Sequence, residues 1–352
     1  MRRDEHRVAI CGRMVAPDSG VRVRRAGDGA AHYSGLAVCG NVACCPVCGP
    51  KVRHGRAQEI ARAARAHQQT GGGLVLLTLT APHDLSMPLT ECWRLIREAW
   101  RSLTSGNHGR GMREQHGIVG FVRAVETTHG RAGWHTHIHA LVFTDRPWDD
   151  LGVVTGFWRW IHERWARRIV AMGGRPPSLA RGVQVIPCRA DNDALAVYLS
   201  AVGGDFTAEV AMESGKKART PGSRTPLQLL HDAVEYDDPA AWMAFREWMT
   251  ASHGRQLITW SRGLRARLLG TDETPADEDL VREHDHAEVV VELDREAWRE
   301  VLMARADVEL LIAVEHGTAG IQALIRTAQL ALWLDTRGRE GPPVIRCARR
   351  NR

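Results

Sequence analysis

The residues best suited to chemistry are three alternate histidines, His135, His137 and His139, in the stretch from Gly133 to Phe143. Its period-two pattern, with β-branched and aromatic residues, predicts a strand whose three imidazoles share one face. Apolar residues on both faces indicate a central strand. Successive imidazoles are roughly 6.6 Å apart, so His137 and His139 can bind one metal ion. His135 lies about 13 Å from His139, so we do not expect one ion to take all three.

A carboxylate on a second strand completes the candidate site. Residues 118–127 have the composition of a strand, and the loop 129–133 predicts a hairpin with the histidine strand. Glu126 then lies near the histidines. Two imidazoles and a carboxylate are a ligand set that divalent cations accept. The same set occurs in non-haem iron oxygenases, but the sequence shows no evident co-substrate anchor for that class.

A second group of candidate ligands consists of cysteines near the N-terminus. Cys45 and Cys48 form a knuckle whose thiolates can share a tetrahedral ion, and Cys39 and Cys11 could complete a four-cysteine zinc site. Cys44 competes with Cys45, because adjacent side chains point apart and only one of the two should bind. A reduced redox pair is the alternative, but no thioredoxin-like pattern surrounds it. So short a segment cannot bury much of a hydrophobic core, which favours a bound zinc ion that stabilises its fold.

The charge of the chain favours a polyanionic partner. The net charge is +6 and the pI about 9.1. Of 47 basic residues 44 are arginines, which bind phosphate bidentately, although a GC-rich genome gives the same bias. Arg53 and Arg56 belong to a basic helix predicted over 51–67 that could face phosphates, although a solvated face is the commoner meaning. No segment has the roughly 18 apolar residues of a membrane span, and no signal-peptide core is present, so we expect a cytoplasmic protein.

Four motifs in order carry a resemblance to a known family. They are Cys11-Gly12 and Cys39 with Cys45-Pro46-Val47-Cys48, then Leu77-Thr78-Leu79-Thr80, then Glu126 with the histidine strand, then Tyr198-Leu199. Together they resemble the replication initiators (Rep proteins) of rolling-circle plasmids, members of the HUH endonuclease superfamily. The resemblance runs from about Val8 to Leu268.

The resemblance implies an α+β fold, an antiparallel sheet with flanking helices, joined here by a small N-terminal zinc-binding module and a helical C-terminal region. It also implies metal-dependent nicking of one DNA strand at the origin, with a 5′-phosphotyrosine intermediate and a 3′-OH that primes synthesis. The same site rejoins strands at termination. Tyr198 matches the nucleophile, and His137 and His139 match the ligands of Mg²⁺ or Mn²⁺, with Glu126 as third ligand and His135 as an extra candidate.

One position departs from the family pattern. The lysine usual one turn after the tyrosine is Ala201 here. Either another cation such as an arginine, Lys216 or Lys217 compensates, or cleavage is impaired, or Tyr198 is not the nucleophile. For the structural zinc, analogy selects Cys45 over Cys44.

The implied partner is plasmid origin DNA, as duplex or hairpin and as a single-stranded nick site, with host helicase and DNA polymerase as further candidates. The residues expected to bind DNA are Arg53, Arg56, Lys216, Lys217 and Arg219. Two alternatives stay open, a zinc-stabilised DNA-binding protein without catalysis and an HUH transposase or relaxase.

The predicted organisation has five segments. They are a cysteine-rich zinc module (1–56), the HUH nicking domain (57–210), a basic and helical extension (211–270), an acidic linker (271–288) and a helical accessory region with a basic tail (289–352). Other predicted elements are helices over 88–104, 148–172 and 298–333, strands over 74–80 and 182–187, and a loop over 106–117.

Overall fold

A computed structural model describes residues 3–17, 19–27, 29–189, 195, 198, 222–282, 287–317 and 345–347. The strands are β1 (Val21–Arg25), β2 (Ala31–Ser34), β3 (Gly73–Thr80), β4 (Ile118–Gly130), β5 (Gly133–Thr144), β6 (Val183–Pro187), β7 (Ile258–Trp260), β8 (Glu288–Leu293) and β9 (Ile345–Cys347). The helices are α1 (Arg3–Ile10), α2 (Cys48–Gln69), α3 (Leu89–Thr104), α4 (Gly106–His116), α5 (Leu151–Ala171), α6 (Pro226–Glu235), α7 (Pro239–Ser252), α8 (Leu264–Leu269), α9 (Asp277–Arg282), α10 (Arg295–Met303) and α11 (Asp307–Glu315).

The chain divides into two compact units. Unit one comprises Met1–Val52 and Pro275–Arg352, and unit two comprises Arg53–Thr274. Unit two contains a five-stranded antiparallel sheet in the order β6-β3-β5-β4-β7, flanked by helices. The histidine strand β5 is central, as its two apolar faces indicate. The α+β class predicted from the sequence is confirmed.

The two faces of β5 are covered by different helices. On one face the buried Trp134 donates from its indole nitrogen to Glu247 of α7, at 2.8 Å. On the other face Leu141 and Phe143 pack in a core with Ile60 of α2. The histidines share this second face but lie toward the other end of the strand, because the alternation runs unbroken from His135 to Phe143.

The hairpin between β4 and β5 has the shortest connection in the sheet. Gly130 pairs with Gly133, so only Arg131 and Ala132 form the turn. Gly133 has a φ of 84°, and a Cβ there would lie 2.9 Å from the backbone oxygen of Asp84. A residue without a side chain is therefore required at this position. The turn fixes the register of the two strands that carry the candidate ligands.

Unit one joins the two ends of the chain. Its four-stranded antiparallel sheet has the order β2-β1-β8-β9, and Val23 of β1 pairs with Val291 of β8. One core beneath it includes Trp298 and Leu310 from α10 and α11. From sequence these segments are expected in separate modules, because pairing between strands so distant in sequence leaves no local signal. The remaining segment boundaries stay predictions.

Two local expectations differ from the structure. Residues 106–117 are expected to form a loop because of their glycines, but residues 106–116 form α4, and Gly117, with a φ of 61°, caps its C-terminal end. The acidic stretch 271–288 is not only a linker, since it contains α9, whose Val281 is buried. Of the helix predicted over 298–333, the described part forms α10 and α11, and the rest lies outside the described residues. None of the described helices is long and apolar enough to cross a membrane.

Unit two contains a buried ionic cluster. Glu59 is 3% exposed and accepts hydrogen bonds from Arg56, at 3.4 Å, and from Nε of Arg265. Arg56 and Arg265 are themselves only 9% and 7% exposed. A buried carboxylate between two guanidiniums is stable only while both signs of charge remain.

We therefore expect Glu59→Ala to lower the free energy of unfolding by about 3–5 kcal/mol, because it leaves two buried arginines without their carboxylate. Urea denaturation followed by circular dichroism measures this loss. Glu163→Ala is the control, since Glu163 pairs with Arg167 at the surface and its removal should cost about 1 kcal/mol or less. Equal losses in the two variants would contradict the structural role given to Glu59.

Candidate metal sites

The first candidate site lies on β4 and β5. Glu126 is directly opposite His137, and Ala124 is opposite His139. Opposed residues of an antiparallel pair project from the same face, so the carboxylate meets both imidazoles. Oε2 of Glu126 is 3.1 Å from Nε2 of His137 and 3.0 Å from Nε2 of His139. The three residues offer ligand atoms that lie within 4.8 Å of one another, close enough for one ion.

The charge of Glu126 suits a ligand. Burial raises the pKa of its carboxyl, but hydrogen bonds with His137 and His139 outweigh burial and hold that pKa well below its ordinary value. The carboxylate therefore stays ionised. Its side chain is 29% exposed, whereas those of His137 and His139 are 12% and 8% exposed. The group is thus held by the sheet and open to solvent at the carboxylate.

The outer nitrogens of the two histidines differ. Nδ1 of His139 shares a hydrogen bond of 3.0 Å with the hydroxyl of Thr78, which orients the ring as partners of metal-bound histidines do. Sequence reasoning did not assign Thr78 this role, although its alternation in β3 places it on the histidine face. Nδ1 of His137 is buried, and no hydrogen-bond partner for it is found in the described part of the chain. An ion bound beside Glu126 would be held by Nε2 and would leave Nδ1 as it is, so the fit to a metal rests on the donor set of one carboxylate and two imidazoles.

His135 lies beside this group and is not part of it. Its ring is 5.0 Å from that of His137 and 4.8 Å from that of His83. Burial, with the nearby imidazoles of His137 and His83, lowers the pKa of His135 to about 4. Its neighbour across the hairpin is Thr128, which offers no carboxylate. Its role as an extra ligand stays a prediction.

Tyr198 lies on the same face of the sheet, in the apolar core. Its side chain is fully buried, and its hydroxyl donates a 3.0 Å hydrogen bond to the backbone oxygen of Val122. Burial raises the pKa of Tyr198 above its ordinary value. Val122 is four residues from Glu126, roughly 13 Å along β4. In this conformation the hydroxyl is hydrogen-bonded to the backbone and is not presented to solvent.

The second candidate site is formed by the four cysteines that the sequence selected. The sulfurs of Cys11, Cys39, Cys45 and Cys48 lie within 4.8 Å of one another, and all four residues are buried. Cys44 is buried but is outside this group. The Asn41 side chain accepts hydrogen bonds from the backbone nitrogens of residues 43 and 44, at 3.0 and 2.8 Å, which shapes the turn before Cys45. The sequence analysis did not identify Asn41, although an asparagine between cysteines is a signal for such a turn.

The electrostatics of the four sulfurs favour a cation. Hydrogen bonds from Cys11, Cys39 and Cys45 lower the pKa of the Cys48 thiol, whereas hydrogen bonds within the cluster and burial raise the pKa of the other three thiols, so one thiolate is preferred. Sγ of Cys48 is 3.4 Å from Sγ of Cys11. Backbone amides donate to Cys39 and Cys45, at 3.4 and 3.3 Å. A tetrahedral ion would allow all four to ionise, so the donor set fits zinc chemistry.

The residues expected to bind DNA are only partly described. Arg53 is half-buried. Arg56 is bonded to Glu59 in the buried ionic cluster, so little of its side chain is free for a phosphate. Lys216, Lys217 and Arg219 lie outside the described residues.

Two known proteins are similar to this chain. Protein rep of Streptomyces lividans is 28% identical over 366 aligned positions, which cover 85% of this chain and 80% of that protein. A Neomycin resistance protein of Streptomyces cyanogenus is 32% identical over 151 positions, which cover 36% of this chain and 35% of that protein. No protein-family model and no solved structure matches the chain. Because the similarity to Protein rep extends over most of both chains, the resemblance to plasmid Rep proteins is confirmed, and this chain is Rep-like.

Proposed function

We propose that this chain initiates plasmid rolling-circle replication by metal-dependent nicking of one strand at the origin, and rejoins strands when replication ends. Its similarity to Protein rep over most of both chains supports the proposal. The observation that carries it is the meeting of Glu126, His137 and His139 on two paired strands.

The ligand set suits phosphoryl transfer. Mn²⁺ or Mg²⁺ bound there would neutralise charge on the non-bridging oxygens of the scissile phosphate and hold it in place, and histidine ligands favour Mn²⁺. Glu126 supplies a permanent negative charge because its pKa is held low. The Thr78 hydroxyl keeps the His139 ring in one orientation. The sheet thereby holds a rigid donor set before the DNA arrives.

Tyr198 is the nucleophile in this proposal. Its oxygen, after losing its proton, attacks phosphorus, the bond to the 3′ oxygen breaks, and that oxygen takes up a proton to become a free 3′-OH. The 5′ phosphate stays bonded to Tyr198, and this phosphotyrosine bond retains the energy needed to rejoin the strands. Since the hydroxyl is buried against Val122, the side chain must first leave that hydrogen bond. Lys216, Lys217 or an arginine would replace the cation that the family usually has at Ala201.

The other assignments follow the same resemblance. Structural Zn²⁺ would bind Cys11, Cys39, Cys45 and Cys48, whose sulfurs are already gathered. Origin DNA would be held as a duplex or hairpin through arginine–phosphate contacts, and its nick site as a single strand. Besides Arg53, the residues proposed to contact DNA are Lys216, Lys217 and Arg219. Host helicase and DNA polymerase would join the complex in the cytoplasm.

A second candidate function is DNA binding without catalysis in a zinc-stabilised protein. The buried hydroxyl of Tyr198 and the alanine at position 201 favour it. An HUH transposase or relaxase would share the chemistry and differ in substrate. A nicking assay separates the first two functions.

We expect Tyr198→Phe to abolish covalent attachment of the protein to DNA and to leave DNA binding intact, because only the hydroxyl is removed. A labelled supercoiled plasmid with its native origin is incubated with Mn²⁺ or EDTA and analysed on a denaturing gel. Tyr236→Phe is the matched control, since the Tyr236 side chain is exposed. An adduct that persists in Tyr198→Phe would exclude this tyrosine as nucleophile, and binding without any nick in the wild type would favour the second candidate.

We expect His137→Ala and Glu126→Gln to weaken Mn²⁺ binding by roughly 10- to 100-fold or more, because each removes one of three ligands. Isothermal titration calorimetry on the zinc-loaded protein measures the change. His129→Gln is the control, since its ring packs at 4.7 Å on Trp134, on the opposite face of the hairpin. Equal weakening by His129→Gln, or none by His137→Ala, would contradict the site.

We expect Cys45→Ser to lose zinc and Cys44→Ser to retain about one zinc ion per chain, because only Cys45 belongs to the sulfur cluster. Metal content by mass spectrometry after exhaustive dialysis tests this difference between adjacent residues. Zinc loss from Cys44→Ser alone would mean that the other cysteine of the pair is the ligand.

A further inference from the structure

Three arginines of unit two lie on the helix-covered face of its sheet, with Arg97 near each of the other two. They are Arg97 of α3, Arg123 of β4 and Arg255, which follows α7. Arg123 is three residues before Glu126, and an odd spacing along a strand places two side chains on opposite faces. The arginine cluster therefore lies across the sheet from the carboxylate and the histidines.

The path of α3 places Arg97 beside Arg123. The indole nitrogen of Trp93 donates to the Thr127 hydroxyl at 3.1 Å, and the ring of Trp100 packs on Phe121 at 4.9 Å. The helix thus runs along β4 from residue 127 toward residue 121. Arg97 is one turn after Trp93 on the same helical face, and so lies alongside the middle of that segment.

Arg255 approaches the cluster from the end of α7. Its guanidinium carbon is 5.0 Å from the centre of the Trp93 ring, and its Nε donates to the backbone oxygen of Ala251 at 2.6 Å. The aromatic ring and the carbonyl hold the side chain in place. The remaining guanidinium nitrogens of Arg255 are therefore pre-oriented donors.

Two arginines of the cluster, Arg123 and Arg255, have no counter-charge among the described residues. Nε of Arg123 is buried, and no partner for it is found among the described residues. In the described part of the chain, Arg97 pairs with Glu98 at 3.2 Å, and Glu98 is shared with Arg101. Described ion pairs involve neither Arg123 nor Arg255. Burial, followed by the charge of Arg97, lowers the pKa of both Arg123 and Arg255, so the charge of Arg97 opposes each of theirs.

Partly buried guanidiniums without a counter-charge destabilise a fold unless an anion is bound. We propose that Arg97, Arg123 and Arg255 form a phosphate-binding site for the backbone of duplex DNA. Guanidinium groups bind phosphate oxygens bidentately. Arg97 is exposed, so a phosphate can reach the cluster from solvent on its side. Phosphate binding stands on this geometry alone, whereas its assignment to DNA rests on the proposed function. The duplex beside the nick site would then contact the face opposite the cleaved strand.

The test compares Arg123→Gln and Arg255→Gln with Arg167→Gln, which removes the same charge from an exposed ion pair on α5. Fluorescence anisotropy with labelled duplex DNA is measured over a range of salt concentrations. The first two variants should bind roughly tenfold more weakly and lower the salt-dependence slope by about 1, and Arg167→Gln should match the wild type. Unchanged binding by the first two would overturn the assignment to DNA.

Thermal unfolding in phosphate and in chloride, at equal ionic strength, tests the anion itself. Phosphate should raise the Tm of the wild type and Arg167→Gln, and should do so less for Arg123→Gln. In chloride, the Tm of Arg123→Gln should be at least as high as that of the wild type. If Arg123 had only a structural role, its replacement would lower the Tm in chloride as well. An equal phosphate response in all proteins would overturn the site. A wild type that responds to phosphate and binds duplex DNA but never nicks would sustain this inference and contradict the proposed function.

Discussion

The pairing of Glu126 with His137 across the β4–β5 hairpin is the constraint on which the candidate site depends. A strand shifted by one residue would turn every histidine to the opposite face and bury Trp134 on the wrong side. The two-residue turn and the close approach at Gly133 prevent that slip. One register thereby sets both the donor group and the apolar packing of the sheet.

The face that carries the histidines has two parts. At one end, Leu141 and Phe143 pack against α2, and Tyr198 completes this core. At the other end, carboxylate and imidazole groups meet in a partly exposed position. Tyr198, held by the core, and the three candidate ligands, held by the sheet, share one face, so the proposed function requires a conformational step of the tyrosine. The hydrogen bond to Val122 is the contact that such a step must break.

The opposite face combines helix packing with two arginines, Arg123 and Arg255, that have no counter-charge among the described residues. The tryptophans of α3 anchor that helix along β4, and the same packing gathers Arg97, Arg123 and Arg255. By contrast, Arg56 and Arg265 share the buried carboxylate of Glu59 and serve the fold. The buried arginines therefore have two different roles. Those bonded to a buried carboxylate stabilise the fold, and those without one are proposed to bind phosphate.

The sequence by itself determined the histidine strand, the hairpin and the cysteine knuckle, because period-two alternation and CxxC spacing are local properties. The order of the four motifs along the sequence also indicated the resemblance to Rep proteins. Only the tertiary structure decided that β1 pairs with β8, that Cys45 and not Cys44 joins the cluster, that residues 106–116 are helical, and that Arg56 and Tyr198 are buried. Each of these depends on which distant residues pack or pair together, and burial is a property of those neighbours rather than of the side chain's own sequence position.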